Sequence, residues 1–183
     1  MQRTNQLRKL VFTGLFAAII YIGIWMLRIP LPALVGKPFI HFGNTLMALA
    51  ILFLGGRYGF IASAIGLGGF DLVNGFAATS WLTVLECAVQ AVVISGLFKA
   101  FKGKTQPLSL KQIIAISITA GVTKVITSYL VSIVEALMVG TSFKVAVVTS
   151  FLSLTSATIN AFSTAVVVPI LYLALRDAFK NRV

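Results

Sequence analysis

Residues 41–71 read HFGNTLMALAILFLGGRYGFIASAIGLGGFD, two apolar segments back to back around the corner Gly55-Gly56-Arg57-Tyr58-Gly59. Three glycines and one arginine in so short a corner suit an antiparallel pair of membrane helices whose connection barely leaves the headgroup layer. This pair sets the topology of the remaining chain.

The composition fits a membrane solvent. Of 183 residues 58% are hydrophobic and 10% charged, and mean hydropathy is +1.01, whereas a soluble domain carries roughly a quarter charged residues. The net charge of +11 does not point to nucleic acid, because the basic residues stand between apolar runs and form no basic face with interleaved aromatics. Cys87 is the single cysteine, so no internal disulfide forms. The first apolar run, 10–27, has no A-x-A-like cleavage site behind it and is read as a retained span.

The expected architecture is all-α, one domain over 1–183, with six transmembrane helices at about 10–27, 39–54, 60–73, 81–98, 111–139 and 145–175. Between the first two lies a loop with Pro30, Pro32, Gly36 and Pro38, which cannot continue a helix. The span 60–73 is short and holds Gly66, Gly68 and Gly69, so a re-entrant segment competes with a crossing. Charge decides between them. With six crossings and both termini cytoplasmic, eleven of the fifteen basic residues lie inside, three (Arg28, Lys37, Lys144) outside, and Lys124 in the membrane. A re-entrant third span would put the lysines of the 99–111 loop and the basic residues of the tail outside, against the positive-inside tendency.

Polar residues inside spans are costly and usually face a bundle interior or wet cavity. Glu86 stands about 7–8 Å below the outer end of the fourth span, with Gln90 one turn deeper. In the fifth span Ser117, Gly121, Lys124, Ser128 and Glu135 recur at helical spacing, with Thr127 beside them. The sixth repeats the pattern with Ser153, Ser156, Asn160, Ser163 and Thr164. With Trp81 and Tyr129 as flat apolar surface, these stripes have the make-up of a pocket for a small heteroaromatic molecule with hydrogen-bonding groups. The candidate binding residues are Glu86, Lys124, Asn160, Trp81, Gln90, Thr127, Ser128 and Thr164, with His41 and Asn44 at the rim. Other roles compete at each. Glu86 and Lys124 neutralise one another across the bundle as readily as they bind a ligand. Asn160 is equally interhelical glue, Trp81 an interfacial anchor. Glu135 is placed at the outer interface as a solvated carboxylate, and Asp71, before Asn74-Gly75, at a helix end.

The chain has no G-x-x-x-x-G-K-[ST], H-E-x-x-H or G-x-S-x-G, so neither an enzyme nor a Walker ATPase is expected, and a lone His41 argues against a metal. No cofactor is expected. Small residues at Thr13 and Ala17, and at Gly14 and Ala18, give the first span a side that another helix can approach closely, or that packs within its own bundle.

The run Pro38-Phe39-Ile40-His41-Phe42-Gly43-Asn44, the Gly55–Gly59 corner and Phe70-Asp71-Leu72 resemble the membrane-embedded S component of energy-coupling factor (ECF) vitamin transporters, and the likeness extends over nearly the whole chain. It implies a multi-pass protein of a prokaryotic plasma membrane that captures a vitamin and works with a transmembrane coupling protein (T component) and two cytoplasmic ATPases, releasing its substrate inward by toppling. The resemblance is strongest to members assigned to pyridoxine or the hydroxymethylpyrimidine precursor of thiamine. It makes the loop with Pro30, Pro32, Gly36 and Pro38 a lid, puts Glu86, Lys124 and Asn160 where pocket residues lie, and makes Thr13, Gly14, Ala17 and Ala18 the docking motif. The rival from another class is a structural or assembly subunit of the membrane with no small-molecule ligand.

Overall fold

A computed structural model describes residues 2–31, 39–102, 107–152 and 154–179. Long helices dominate: α1 Gln2–Met26, α2 Gly43–Ser63, α3 Gly69–Val73, α4 Ser80–Lys102, α5 Leu110–Met138, α6 Phe143–Leu152 and α7 Leu154–Phe179. A two-residue antiparallel ribbon, β1 Ile29–Pro30 on β2 Phe39–Ile40, closes the base of the loop between α1 and α2. Among the described residues five helical stretches are long and apolar enough to cross a membrane: Gln6–Met26, Gly43–Val73, Ser80–Phe101, Leu110–Met138 and Leu154–Phe179.

The second of these holds two of the expected spans. At Gly55 the backbone leaves helical geometry with φ 82° and ψ 169°, a positive-φ extended conformation reserved for glycine, which has no Cβ to clash. The chain then doubles back. A Cβ placed on Gly59 would lie 2.4 Å from the Ile51 Cα, whereas eight residues of unbroken helix would part these positions by about 12 Å. The two arms therefore pack backbone to backbone, and only glycine fits at the contact.

The returning arm passes through a π-helical turn, Ala64–Gly68, before α3. There Gly66 presses on α1, where a Cβ would meet the Ala17 carbonyl and Ile20 at 2.8 Å. A π turn holds one residue more than the α-helical repeat and so rotates everything after it about the axis. Phe70 and Asp71 follow directly.

The expected span 145–175 is described as α6 and α7 on either side of residue 153, which lies outside the described residues. α5 starts with a capping box between Ser109 and Gln112. It ends in a Schellman turn, with Thr141 N–H donating to the Ala136 carbonyl, Gly140 N–H to Leu137, and Gly140 at φ 86°. α6 then turns back along α5, and the Tyr129 hydroxyl donates to the Val147 carbonyl at 3.3 Å.

The core runs between α1, α2, α4, α5 and α7 through Ile20, Ile24, Leu49, Ile51, Ile94, Ile113, Ile116 and Val168, all buried. Large apolar side chains such as Leu10, Trp25, Val92, Ile126 and Phe162 point outward instead. A surface this apolar matches hydrocarbon, not water. The bundle has two unlike ends. At one, Phe53 stacks on Phe179 (4.4 Å between centroids) and Tyr172 (5.1 Å), with Phe12 and Phe16 against Phe179. The other end opens into a cavity.

Candidate functional site

The cavity has a volume of about 490 Å³ and is walled by Ile24 of α1, β2, the start of α2, the end of α3, the start of α4, the second half of α5 and the start of α7. Three of the chain's four acidic residues line it: Asp71, Glu86 and Glu135. So do Lys124, His41, Asn44, Ser128, Ser156 and Asn160, with Phe39, Phe70 and Phe76 as aromatic wall.

Glu86 and Lys124 meet. The Lys124 ammonium donates to Glu86 Oε2 at 2.6 Å, and the other carboxylate oxygen accepts from Thr127 Oγ1 (2.8 Å) and Ser128 Oγ (3.3 Å). Both side chains are largely buried, 16% and 9% exposed. Such a cluster satisfies the charge of Glu86 within the protein, as a buried ion needs. Positions 124, 127 and 128 reach one carboxylate because they share a face of α5.

Asn160 does a different task. Its Oδ1 accepts from the His41 backbone N–H at 3.0 Å, and its Nδ2 donates to the Phe39 carbonyl at 3.1 Å. The amide thus pairs with alternate backbone groups as a neighbouring strand would, and it fastens β2 to α7. The His41 ring is held in turn by the Gly43 N–H, which donates to Nδ1 at 3.0 Å. This fixes the neutral tautomer with hydrogen on Nε2.

Asn44 is buried, 3% exposed, and its Nδ2 has no hydrogen-bond partner among the described residues. An amide donor left bare in a low-dielectric wall is costly unless something else fills the role. Asp71 accepts from Thr83 Oγ1 on its Oδ2. Arg28 lies over the rings of Phe39 and Phe70, 5.7 and 5.6 Å from their centroids, a cation–π arrangement at the lid base.

Of the expected binding residues, Glu86, Lys124, Ser128 and Asn160 line the cavity, as do the expected rim residues His41 and Asn44. The others do not. Trp81 is half exposed on the outside of α4. Gln90 is buried deeper and donates to the Ala120 carbonyl at 3.0 Å, while Thr127 stands behind Glu86. Thr164 bonds to Thr45 and to the Asn160 carbonyl. Glu135, expected at the outer interface, lines the cavity near the end of α5 with Thr79 beside it. Asp71 does precede the turn at Asn74-Gly75, yet it faces the cavity, which reading it as a helix end missed. The rarity of carboxylates in the chain is the signal that finds both.

Pro30 sits exposed in β1; Pro32, Gly36 and Pro38 of the expected lid lie outside the described residues. The docking motif divides. Thr13 and Ala17 are buried in the bundle, at 4% and 5% exposure, and the Thr13 hydroxyl donates to the Lys9 carbonyl. Gly14 and Ala18 are exposed, and nothing stands within 4 Å of where a Gly14 Cβ would be.

The family described as "ECF-type riboflavin transporter, S component" matches residues 4–177. The chain belongs to the S-component family of ECF transporters. Its fold agrees: the solved structure described as "Structure and mechanism of the S component of a bacterial ECF transporter" superposes with a TM-score of 0.69, covering 96% of this S component and 99% of that chain at 19% identity. No curated protein matches. S components bind small-molecule substrates and work with a membrane T subunit and ATPase modules; they are transporter subunits and not enzymes.

Proposed function

We propose that this S component is the high-affinity capture subunit for a small heteroaromatic vitamin or vitamin precursor of the pyridoxine or hydroxymethylpyrimidine type. The observation that carries the reading is the cavity, with the Asn44 donor buried and unpartnered in its wall. Its volume is in the range of small-molecule sites. Carboxylate acceptors and aromatic walls suit a flat ring with hydroxyl, amino or ring-nitrogen groups. Riboflavin is the competing substrate, favoured by the description of the matching family.

In this reading the chain crosses six times, with both termini cytoplasmic. The reversal at Gly55 supports two crossings within residues 39–73. Residues 43–54 rise about 18 Å as helix, and the extended residues ahead of them supply most of the remaining thickness. Lys9, Arg57, Lys99, Lys111 and Arg176 belong to the aromatic end, which the positive-inside tendency assigns to the cytoplasm. The cavity then faces outward. Gly14 and Ala18 dock the T subunit, and ATP hydrolysis resides on partner ATPases.

Protein purified from cells grown in rich medium should carry a heteroaromatic compound detectable by mass spectrometry. Calorimetry of the emptied protein with pyridoxine, hydroxymethylpyrimidine and riboflavin then identifies the substrate. Tight binding of riboflavin alone would replace the pyridoxine-type reading. Binding of none, with no co-purified compound, would leave the assembly-subunit reading in its place.

A further inference from the structure

Three carboxyl groups and one ammonium line the cavity. Lys124 is committed to Glu86, whose second oxygen is taken by Thr127 and Ser128. Asp71 and Glu135 share the same wall without a cationic partner: the salt bridges among the described residues are Lys124 with Glu86 and Arg176 with Asp177. Asp71 is nonetheless oriented with care. The π turn at Ala64–Gly68 sets the rotation of α3, and Thr83 from α4 binds one oxygen. The second oxygen accepts no hydrogen bond among the described residues.

Asp71 is partly exposed on the cavity wall, and this oxygen is free to accept from a donor in the cavity. Asn44 gives an independent sign that the donor is a ligand, since it is 3% exposed and its unpartnered Nδ2 lies in the same wall. The occupant therefore offers an acceptor to Asn44 and a donor to Asp71. Glu86, the more prominent carboxylate in the sequence, is already satisfied.

We propose that Asp71, oriented by Thr83, is the carboxylate that reads the substrate, and that the substrate presents it an amino or protonated ring nitrogen. This rests on the capture function proposed above and narrows its substrate to amino-bearing or basic heteroaromatics, with a ring acceptor for Asn44. A neutral flavin lacks the basic group. Thr83 is a positioning residue, acting through Asp71.

The test compares 4-amino-5-hydroxymethyl-2-methylpyrimidine with its 4-oxo counterpart by calorimetry on the full-length protein. Wild type should prefer the amino compound by roughly 10- to 100-fold, the range of a charge-assisted hydrogen bond. Asp71→Asn should abolish that preference while the affinity for the oxo compound changes little, a contrast that general loss of structure does not produce. Thr83→Val should reduce the preference in the same direction with its thermal unfolding midpoint kept within a few degrees, and it decides the matter if Asp71→Asn fails to fold. Equal wild-type affinity for the two compounds, or a preference that survives both substitutions, overturns the role of Asp71 and leaves the capture function standing. Wild-type protein that binds neither compound, nor pyridoxamine, but binds riboflavin overturns the substrate class. Protein that binds none of them overturns the capture function itself.

Discussion

Lys124 on α5 and Glu86 on α4 lie 2.6 Å apart, nitrogen to oxygen, on the wall of the cavity. The pair joins two helices where a ligand would sit, and it is anchored by two hydroxyls of α5. Removing either partner strands a buried charge, which costs about 3–5 kcal/mol. Glu86→Gln and Lys124→Met should each lower the thermal midpoint strongly, and the double variant should recover much of the loss. Scanning fluorimetry in detergent measures this. Additive losses in the double variant would show that the two act separately.

Asn160 is expected to govern retention of ligand more than its recognition. Its amide ties β2 to α7 with two hydrogen bonds, each worth about 0.5–1.5 kcal/mol net. Asn160→Ala should lower stability by about 1–3 kcal/mol and speed dissociation of bound substrate, measured by stopped-flow fluorescence. Asn160→Asp keeps the acceptor for His41 N–H but sets a carboxylate oxygen against the Phe39 carbonyl, so its dissociation should be at least as fast as that of Asn160→Ala.

The reversal at Gly55 makes a sharp contrast among glycines. Gly59→Ala drives a Cβ to 2.4 Å from the Ile51 backbone, and neither partner can move aside without opening the arms, so folded yield should collapse. Gly55→Ala, with open space but φ 82°, should cost about 1–3 kcal/mol. Size-exclusion profiles and melting curves separate the two effects.

Gly14→Leu should leave folding and substrate affinity intact, because nothing stands near its Cβ position, and should weaken association with the coupling subunit. Thr13→Leu, at a buried site, should instead lower stability. Co-purification with T and ATPase subunits, alongside a melting curve, tells the two rows of small residues apart.

The sequence alone determined the membrane class, the helix pair reversing at a glycine corner and a polar face on α5, because each follows from local composition and period. Carboxylate scarcity was also visible there, although reading Asp71 and Glu135 as a helix end and a solvated interface hid its meaning. Tertiary structure decided the rest. A period of 3.6 says which α5 residues share a face, but only the packing of α4 on α5 brings Lys124 to Glu86 on the cavity wall. Only the approach of β2 to α7 makes Asn160, which lines the cavity, a fastener as well. The rotation imposed by the π turn at Ala64–Gly68 brings Asp71 into the cavity, and such a shift of phase leaves no mark in residue order.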